Sequence, residues 1–266
     1  TIMTSEPKFI PEEAVEISPD GTAKLRVRFI DSVGYMIPGA VGADEDGVPR
    51  MVTTPWYDHE IPMTEAAELG TKKVMQEHST IGIVVTTDGT VTDLPREEYL
   101  EAEERVIREL QEIGKPFVVV VNSADPKSER CLAVAEDIRH RFHACCLSLN
   151  CLEVTQRELE EMMRLLLCEF PIAELALYLP PWVDALPSDH PIKSGLYQSI
   201  SRQSHTLHHI RQLDEYLQQL RGDERLQDVT VRRIDLGSGG AETVQDILNP
   251  KNIRTYISTF FRRYKG

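Results

Sequence analysis

The chain has 266 residues, 41% apolar and 27% charged, which suits one large globular domain or two modest ones with a core that needs no disulfides. No apolar run approaches the roughly 18–20 residues that span a bilayer. Lys and Arg number 29 against 43 Asp and Glu, a formal charge of −14 that argues against general nucleic-acid binding, because neutralising phosphates takes clustered cations.

In chain order, Ala23–Ile30 alternates in the manner of a strand and stops at Asp31-Ser32-Val33-Gly34. A stretch punctuated by Gly and Pro runs from Tyr35 to about Pro62 and reads as a long loop; Thr64–Gln76 then reads as a helix. Ile81–Thr86 is a continuous apolar run, suited to a strand buried on both faces. Glu97–Ile113 is an amphipathic helix with Tyr99, Val106, Ile107 and Leu110 toward the core, ended by Gly114. Phe117–Val121 is the next buried strand, followed by a helix over Glu129–Phe142, a strand over Ala144–Leu149 and a helix over Val154–Cys168. This alternation predicts an α/β domain with a doubly wound, mostly parallel sheet and right-handed crossovers.

The pattern changes near Phe170-Pro171, where Pro180, Pro181, Pro187 and Pro191 cluster. Ser194–Leu220 reads as one long helix with Ile200, Leu207, Ile210, Leu213, Leu217 and Leu220 as its apolar stripe, and Val229–Gly266 is mixed, ending on Arg262-Arg263-Tyr264-Lys265. The predicted division is residues 1–180 for the α/β domain and 181–266 for part of a smaller α+β domain. The five cysteines, Cys131, Cys145, Cys146, Cys151 and Cys168, include no C-x-x-C pair, so they read as buried thiols of a reducing cytoplasm rather than zinc ligands.

The strand ends carry the chemistry. In P-loop nucleoside triphosphatases an aspartate placed as Asp31 is holds Mg²⁺, usually through water, and a glycine placed as Gly34 is presents its N–H to the γ-phosphate. Asn122-Ser123-Ala124-Asp125 stands after its strand where such enzymes carry the base-reading N-K-x-D. Asn122 can tie loops together and Asp125 can accept hydrogen bonds from a guanine edge, while Ser123 lacks the lysine stem that covers the base. Leu147-Ser148-Leu149 ends the following strand, where a backbone contact to the base would lie. Ligands of open α/β sheets bind at such carboxyl ends. Upstream, Thr4 and Ser5 stand at the distance from Asp31 expected of a switch threonine that senses the γ-phosphate through Mg²⁺.

No G-x-x-x-x-G-K-[ST] accompanies them; Gly42 and Gly47 have the spacing but are followed by Val48-Pro49. Since that loop precedes the switch threonine in such proteins, the expectation is that it lies before Thr1, and that this chain alone hydrolyses nucleotide poorly. Two other patterns are weaker. Ile234-Asp235-Leu236-Gly237-Ser238-Gly239-Gly240 resembles a methyltransferase cofactor loop, but too little chain follows it for a Rossmann sheet. His205, His208 and His209 share one face of the predicted helix, with no carboxylate partner evident.

Specific strings resemble the stage IV sporulation protein A family of spore-coat morphogenetic ATPases. They are Thr1–Phe9, Asp31–Tyr35, Pro49–Met51, Thr54–Tyr57, Gln76–Gly82, Thr86–Thr90, Glu101–Ile107 and Gly114–Phe117, collinear over about residues 1–183. The resemblance implies a P-loop GTPase-like fold that hydrolyses ATP with Mg²⁺. By it, Thr4 is the sensor threonine and Asp31 the Mg²⁺-associated aspartate, Ser5 stands where the family commonly has a second Thr, and Asn122 and Ser123 match a degenerate base-reading loop. It further implies self-association into a polymer, recruitment of spore coat proteins, and a small amphipathic peptide that anchors the polymer. The place implied is the mother-cell cytoplasm, at the surface of the outer forespore membrane. Two alternatives stay open: a non-catalytic scaffold of the coat, and a true GTPase, which Asp125 favours.

Overall fold

The computed structural model describes residues 8–18, 25–39, 44–45, 48–172, 174–179, 181–223, 226–235 and 254–261, and the chain divides into two compact units, Thr1–Leu166 and Leu167–Gly266. In the first unit, β1 (Phe9–Ile17) and β2 (Leu25–Ile30) form an antiparallel pair whose register shifts between Ile10 and Val15. Two small ladders follow, β3 (Asp44–Glu45) with β4 (Val48–Pro49) and β5 (Met51–Val52) with β6 (Ile61–Pro62). The stretch expected to be loop therefore carries a core of its own, in which Val52 and Ile61 pack on Ala66 of α1 (Met63–Lys73). A single wide turn, Val74–His78, extends that helix.

The remaining elements are β7 (Gly82–Thr87), a 3-10 turn at Arg96–Tyr99, α2 (Leu100–Ile113), β8 (Phe117–Asn122), α3 (Glu129–Phe142), β9 (Cys146–Leu149) and α4 (Gln156–Cys168). β7, β8 and β9 lie side by side, all parallel, with Val84 opposite Val119 and Val121 opposite Ser148. The unbroken apolar run of β8 follows from burial on both faces. Val119 and Val121 pack with Ile107 and Leu110 of α2 and Ile138 and Phe142 of α3. Val118 and Val120 pack on the other side with Met162, Met163 and Leu166 of α4. Each fully buried side chain of this size contributes about 1.5–3 kcal/mol, so this strand and its helices anchor the unit.

β7 departs from the same expectation. Among the described residues it pairs on one side only, with β8, and its Val85 is 60% exposed, whereas Ile83 on the same face packs against the α4 cluster.

In the second unit, β10 (Glu174–Tyr178), β12 (Arg254–Phe261) and β11 (Leu226–Asp235) form a sheet in that order, parallel in the first pair and antiparallel in the second. Between the strands lie α5 (Pro181–Asp184), α6 (Pro191–Ser204), a 3-10 turn at Ile210–Gln212 and α7 (Leu213–Arg221). The single helix expected over Ser194–Leu220 is thus two. Ile172 N–H donates to the His208 carbonyl and Ile210 N–H to that of Phe170, so pairing with residues 170–172 draws this stretch out of the helix. Its apolar positions still reach a core: Leu207, Leu213, Leu217 and Leu220 bury with Val183 and Leu196. The break removes the common helical face of His205, His208 and His209, and His209 Nδ1 lies 2.9 Å from the Glu169 carbonyl oxygen.

Among the described residues no group of three or more His, Cys, Asp or Glu could hold a metal, and no helix is long and apolar enough to cross a membrane. Cys131 and Cys146 are buried as expected, Cys145 and Cys168 are half-buried, and Cys151 is exposed. Leu236–Gly240 and the terminal basic stretch lie outside the described residues.

Candidate functional site

The carboxyl ends of β7 and β8 meet around a residue that the sequence presents only as the close of a strand. Asp88 is fully buried just beyond β7. Its Oδ1 accepts from Thr90 Oγ1 at 2.6 Å and from Thr90 N–H at 3.0 Å, and its Oδ2 accepts from Ser123 Oγ at 2.7 Å. The two hydroxyls serve the next loop in turn: Thr90 Oγ1 accepts from Ala124 N–H and Ser123 Oγ from Asp125 N–H. A buried carboxylate thus fixes the backbone of Asn122–Asp125 through two hydroxyl relays. Burial would raise the Asp88 carboxyl, but the hydrogen bonds from Thr90 and Ser123, with the nearby Arg130 guanidinium, hold it below the ordinary value of 3.8.

A depressed carboxyl contributes stability above its unfolded value and loses it as pH falls through the folded one. Unfolding free energy is therefore expected to fall below about pH 4. Ser123→Ala should cost about 1–3 kcal/mol at neutral pH and flatten that acid limb, as read by urea unfolding across pH. Equal acid limbs in the two proteins would contradict this.

Gly89, next to Asp88, has φ +85°, and a Cβ there would stand 2.9 Å from Arg130 Nη2 and 3.0 Å from Arg96 N. Only glycine suits that turn. Arg96 is itself buried, pairing its guanidinium with the buried Glu103 carboxylate (Nη1–Oε2 2.6 Å, Nη2–Oε1 2.7 Å) and donating to Thr86 Oγ1 at 2.9 Å.

The structure brings together the residues expected after β8 and β9. Asn122 Oδ1 accepts from Cys151 N–H at 3.0 Å, and Ser123 N–H donates to the Leu149 carbonyl at 2.9 Å, so the two loops are tied. Asp125 is exposed, and its Oδ1 accepts from Lys127 N–H at 3.1 Å. The buried Ser123 hydroxyl faces Asp88, and its work lies within the loop. Ser148 shares a face with Cys146, toward α2 and α3, and its Oγ is buried with no hydrogen-bond partner among the described residues. Ser148→Ala is expected to leave nucleotide affinity unchanged and to be neutral or stabilising by up to about 1 kcal/mol, since it removes an unpaired buried hydroxyl. A destabilised variant in thermal unfolding would overturn that.

Asp31 and Gly34 belong to a second loop, beyond β2. Asp31 is exposed. Gly34 N–H donates to Thr71 Oγ1 of α1 at 3.0 Å. Tyr35 donates to Glu109 Oε2, with Arg105 stacked over its ring at 4.6 Å. Arg105 also pairs with Glu68 at 2.7 Å. This loop is thereby seated on α1 and α2. Thr4 and Ser5 lie outside the described residues. The groove on the outer face of α2, about 740 Å³, is lined by Glu104, Arg105, Arg108 and Arg141, which pair among themselves and with neighbouring carboxylates. Its three arginines are all paired, so it offers no free cation to an anionic ligand.

Sequence reasoning missed Asp88, Thr90, Glu103 and Thr71. The first two had a signal in Thr87-Asp88-Gly89-Thr90 directly after an apolar strand. Glu103 looks like any charged helical position, and Thr71 like any helix residue.

Comparison with known proteins gives a consistent picture. The family described as "Stage IV sporulation protein A, ATPase domain" matches residues 1–171, and "Stage IV sporulation protein A, middle domain" matches residues 172–253. The chain is 40% identical over 257 residues to stage IV sporulation protein A of Bacillus subtilis (strain 168), covering 97% of this chain and 52% of that protein. It is 41% identical over 251 residues to that of Clostridioides difficile (strain 630), covering 93% and 51%, and 38% identical over 242 residues to that of Bacillus anthracis, covering 91% and 49%. The chain thus spans about half the length of the curated relatives it matches. No solved structure matches it.

Proposed function

We propose, on the premise that the chain belongs to the stage IV sporulation protein A family, that it forms the nucleotide-handling core of an ATP-hydrolysing morphogenetic protein. Hydrolysis drives this protein to polymerise around the forespore as the base layer of the spore coat. The observation that carries the reading is the clamp of Asp88 on Asn122–Asp125, joined through Asn122 to the loop after β9. Two adjacent loops at the carboxyl end of a parallel sheet are thereby held fixed where such sheets take ligands.

In this reading the fold is P-loop GTPase-like. The unpaired edge of β7 and the bare Val85 are then the seat of the strand and helix that flank a phosphate-binding loop. Asp31 is an exposed single carboxylate, which fits Mg²⁺, an ion that commonly takes one or two carboxylates beside phosphate oxygens and waters. Asp31 would hold the ion, with Thr4 beside it by family likeness, and the bound ion would neutralise phosphate charge. Gly34 N–H serves the γ-phosphate, Asn122 and Asp125 the base, and the Ser148 backbone its far edge. Attack by water would be in line, favoured by positioning and charge rather than by a covalent step.

The polymer's partners are further copies of the chain, spore coat proteins and a small amphipathic anchoring peptide. It lies on the mother-cell side of the outer forespore membrane, and contact with lipid is indirect, since a chain of net charge −14 is repelled by anionic headgroups. A second reading, a GTPase, is favoured by the exposed Asp125 carboxylate. Competition for labelled ATP on the full-length product of the gene separates the two: unlabelled ATP is expected to compete at least about tenfold better than GTP, a difference of about 1.4 kcal/mol. GTP as the stronger competitor reverses the assignment.

A further inference from the structure

The backbone N–H of Gly34, which the proposed site directs to a γ-phosphate, already has a partner. It donates to Thr71 Oγ1 at 3.0 Å, and Thr71 is 4% exposed in the last turn of α1. Gly34 has φ +79°, in the region that favours glycine, with no atom within 4 Å of where a Cβ would stand, so its peptide has room to turn. On one side stands the exposed Asp31. On the other, Tyr35 is fastened to α2 by Glu109 and covered by Arg105. The loop therefore runs from the end of β2, where Ile30 pairs with Phe9, to a Tyr35 fixed on α2, with the Thr71 hydroxyl holding the Gly34 amide between them.

We infer that Thr71 is a specificity-determining residue of the nucleotide site: its hydroxyl is the acceptor that Gly34 N–H leaves when a γ-phosphate oxygen takes its place. A diphosphate lacks that oxygen and leaves the Gly34–Thr71 bond intact. Every triphosphate that recruits Gly34 must break the bond, so Thr71 sets how strongly triphosphate is favoured over diphosphate. The inference rests on the nucleotide-site reading above and assigns a regulator to it.

The test measures equilibrium binding of a non-hydrolysable ATP analogue and of ADP to the full-length product of the gene, as wild type, Thr71→Val and Thr71→Ser. Valine keeps the shape and removes the acceptor. One hydrogen bond of this kind corresponds to roughly a two- to tenfold change in binding. Thr71→Val is therefore expected to raise affinity for the analogue by that factor, leave ADP unmoved, and speed hydrogen exchange of the Gly34 amide in the nucleotide-free protein. Thr71→Ser should keep the wild-type ratio, and Thr71→Ala gives the same reading as Val if Val impairs folding. Parallel changes for both nucleotides, or an unmoved ratio in a folded variant, overturn the role of Thr71 and leave the nucleotide site standing. Failure of the wild type to bind either nucleotide overturns both.

Discussion

Replacing Asp31 by alanine is expected to lower ATP turnover by the full-length product of the gene at least about a hundredfold, the scale of losing one preorganised group that stabilises charge in a transition state. The loss should fall on turnover more than on folding. Asp31 is exposed beyond the end of β2, and substitution at such positions commonly shifts stability by no more than about 0.5 kcal/mol. Steady-state phosphate release and urea unfolding, measured on the same preparations, give the two readouts. Turnover within a few-fold of wild type removes Asp31 from the chemistry. A wild type with no turnover, assembling as well as the variant does, supports the non-catalytic scaffold.

The largest stability effect is expected at the Arg96–Glu103 pair. Both side chains are buried, Glu103 Oε1 accepts from Arg96 Nη2 while Oε2 makes a close ion contact with Nη1, and Thr86 on β7 accepts a further bond from Arg96. Glu103→Ala strands a buried guanidinium and should destabilise the protein by about 3–5 kcal/mol. The double replacement Arg96→Met with Glu103→Leu removes both charges and should recover most of that loss. The pair fastens the 3-10 turn at Arg96–Tyr99 and the start of α2 to β7, and Arg96 N lies against Gly89. Weakening it should therefore also loosen the Asp88 clamp, seen as faster amide exchange at Thr90 and Asp125. A loss below about 1 kcal/mol for Glu103→Ala would mean that water reaches the stranded guanidinium.

The elements of the parallel sheet can be read from the chain because their signals are local. Uninterrupted apolar strands alternate with amphipathic helices, and Ser128 caps α3 by accepting from Cys131 N–H. The places where reading fails are those settled by distant contacts. Val85 belongs to a run as apolar as β8, yet its exposure depends on what stands beside β7. The break between α6 and α7 is imposed by pairing with residues 170–172, through bonds that span 36 and 40 positions, against a good helical stripe.

The site divides in the same way. Asn122, Ser123, Asp125, Asp31 and Gly34 announce themselves by residue type at strand ends. Asp88, which holds Ser123 and through it Asp125 in place, and Thr71, which holds Gly34, act through contacts 35 and 37 residues apart in the chain. No local pattern carries such a pairing.

In the proposed function, hydrolysis of ATP drives assembly. Sedimentation of the purified full-length product, incubated with ATP, with a non-hydrolysable analogue or without nucleotide, tests it most directly. The expected result is a pelletable polymer with ATP, little with the analogue or without nucleotide, and none with the Asp31→Ala variant in ATP. Equal polymer under all four conditions would contradict it.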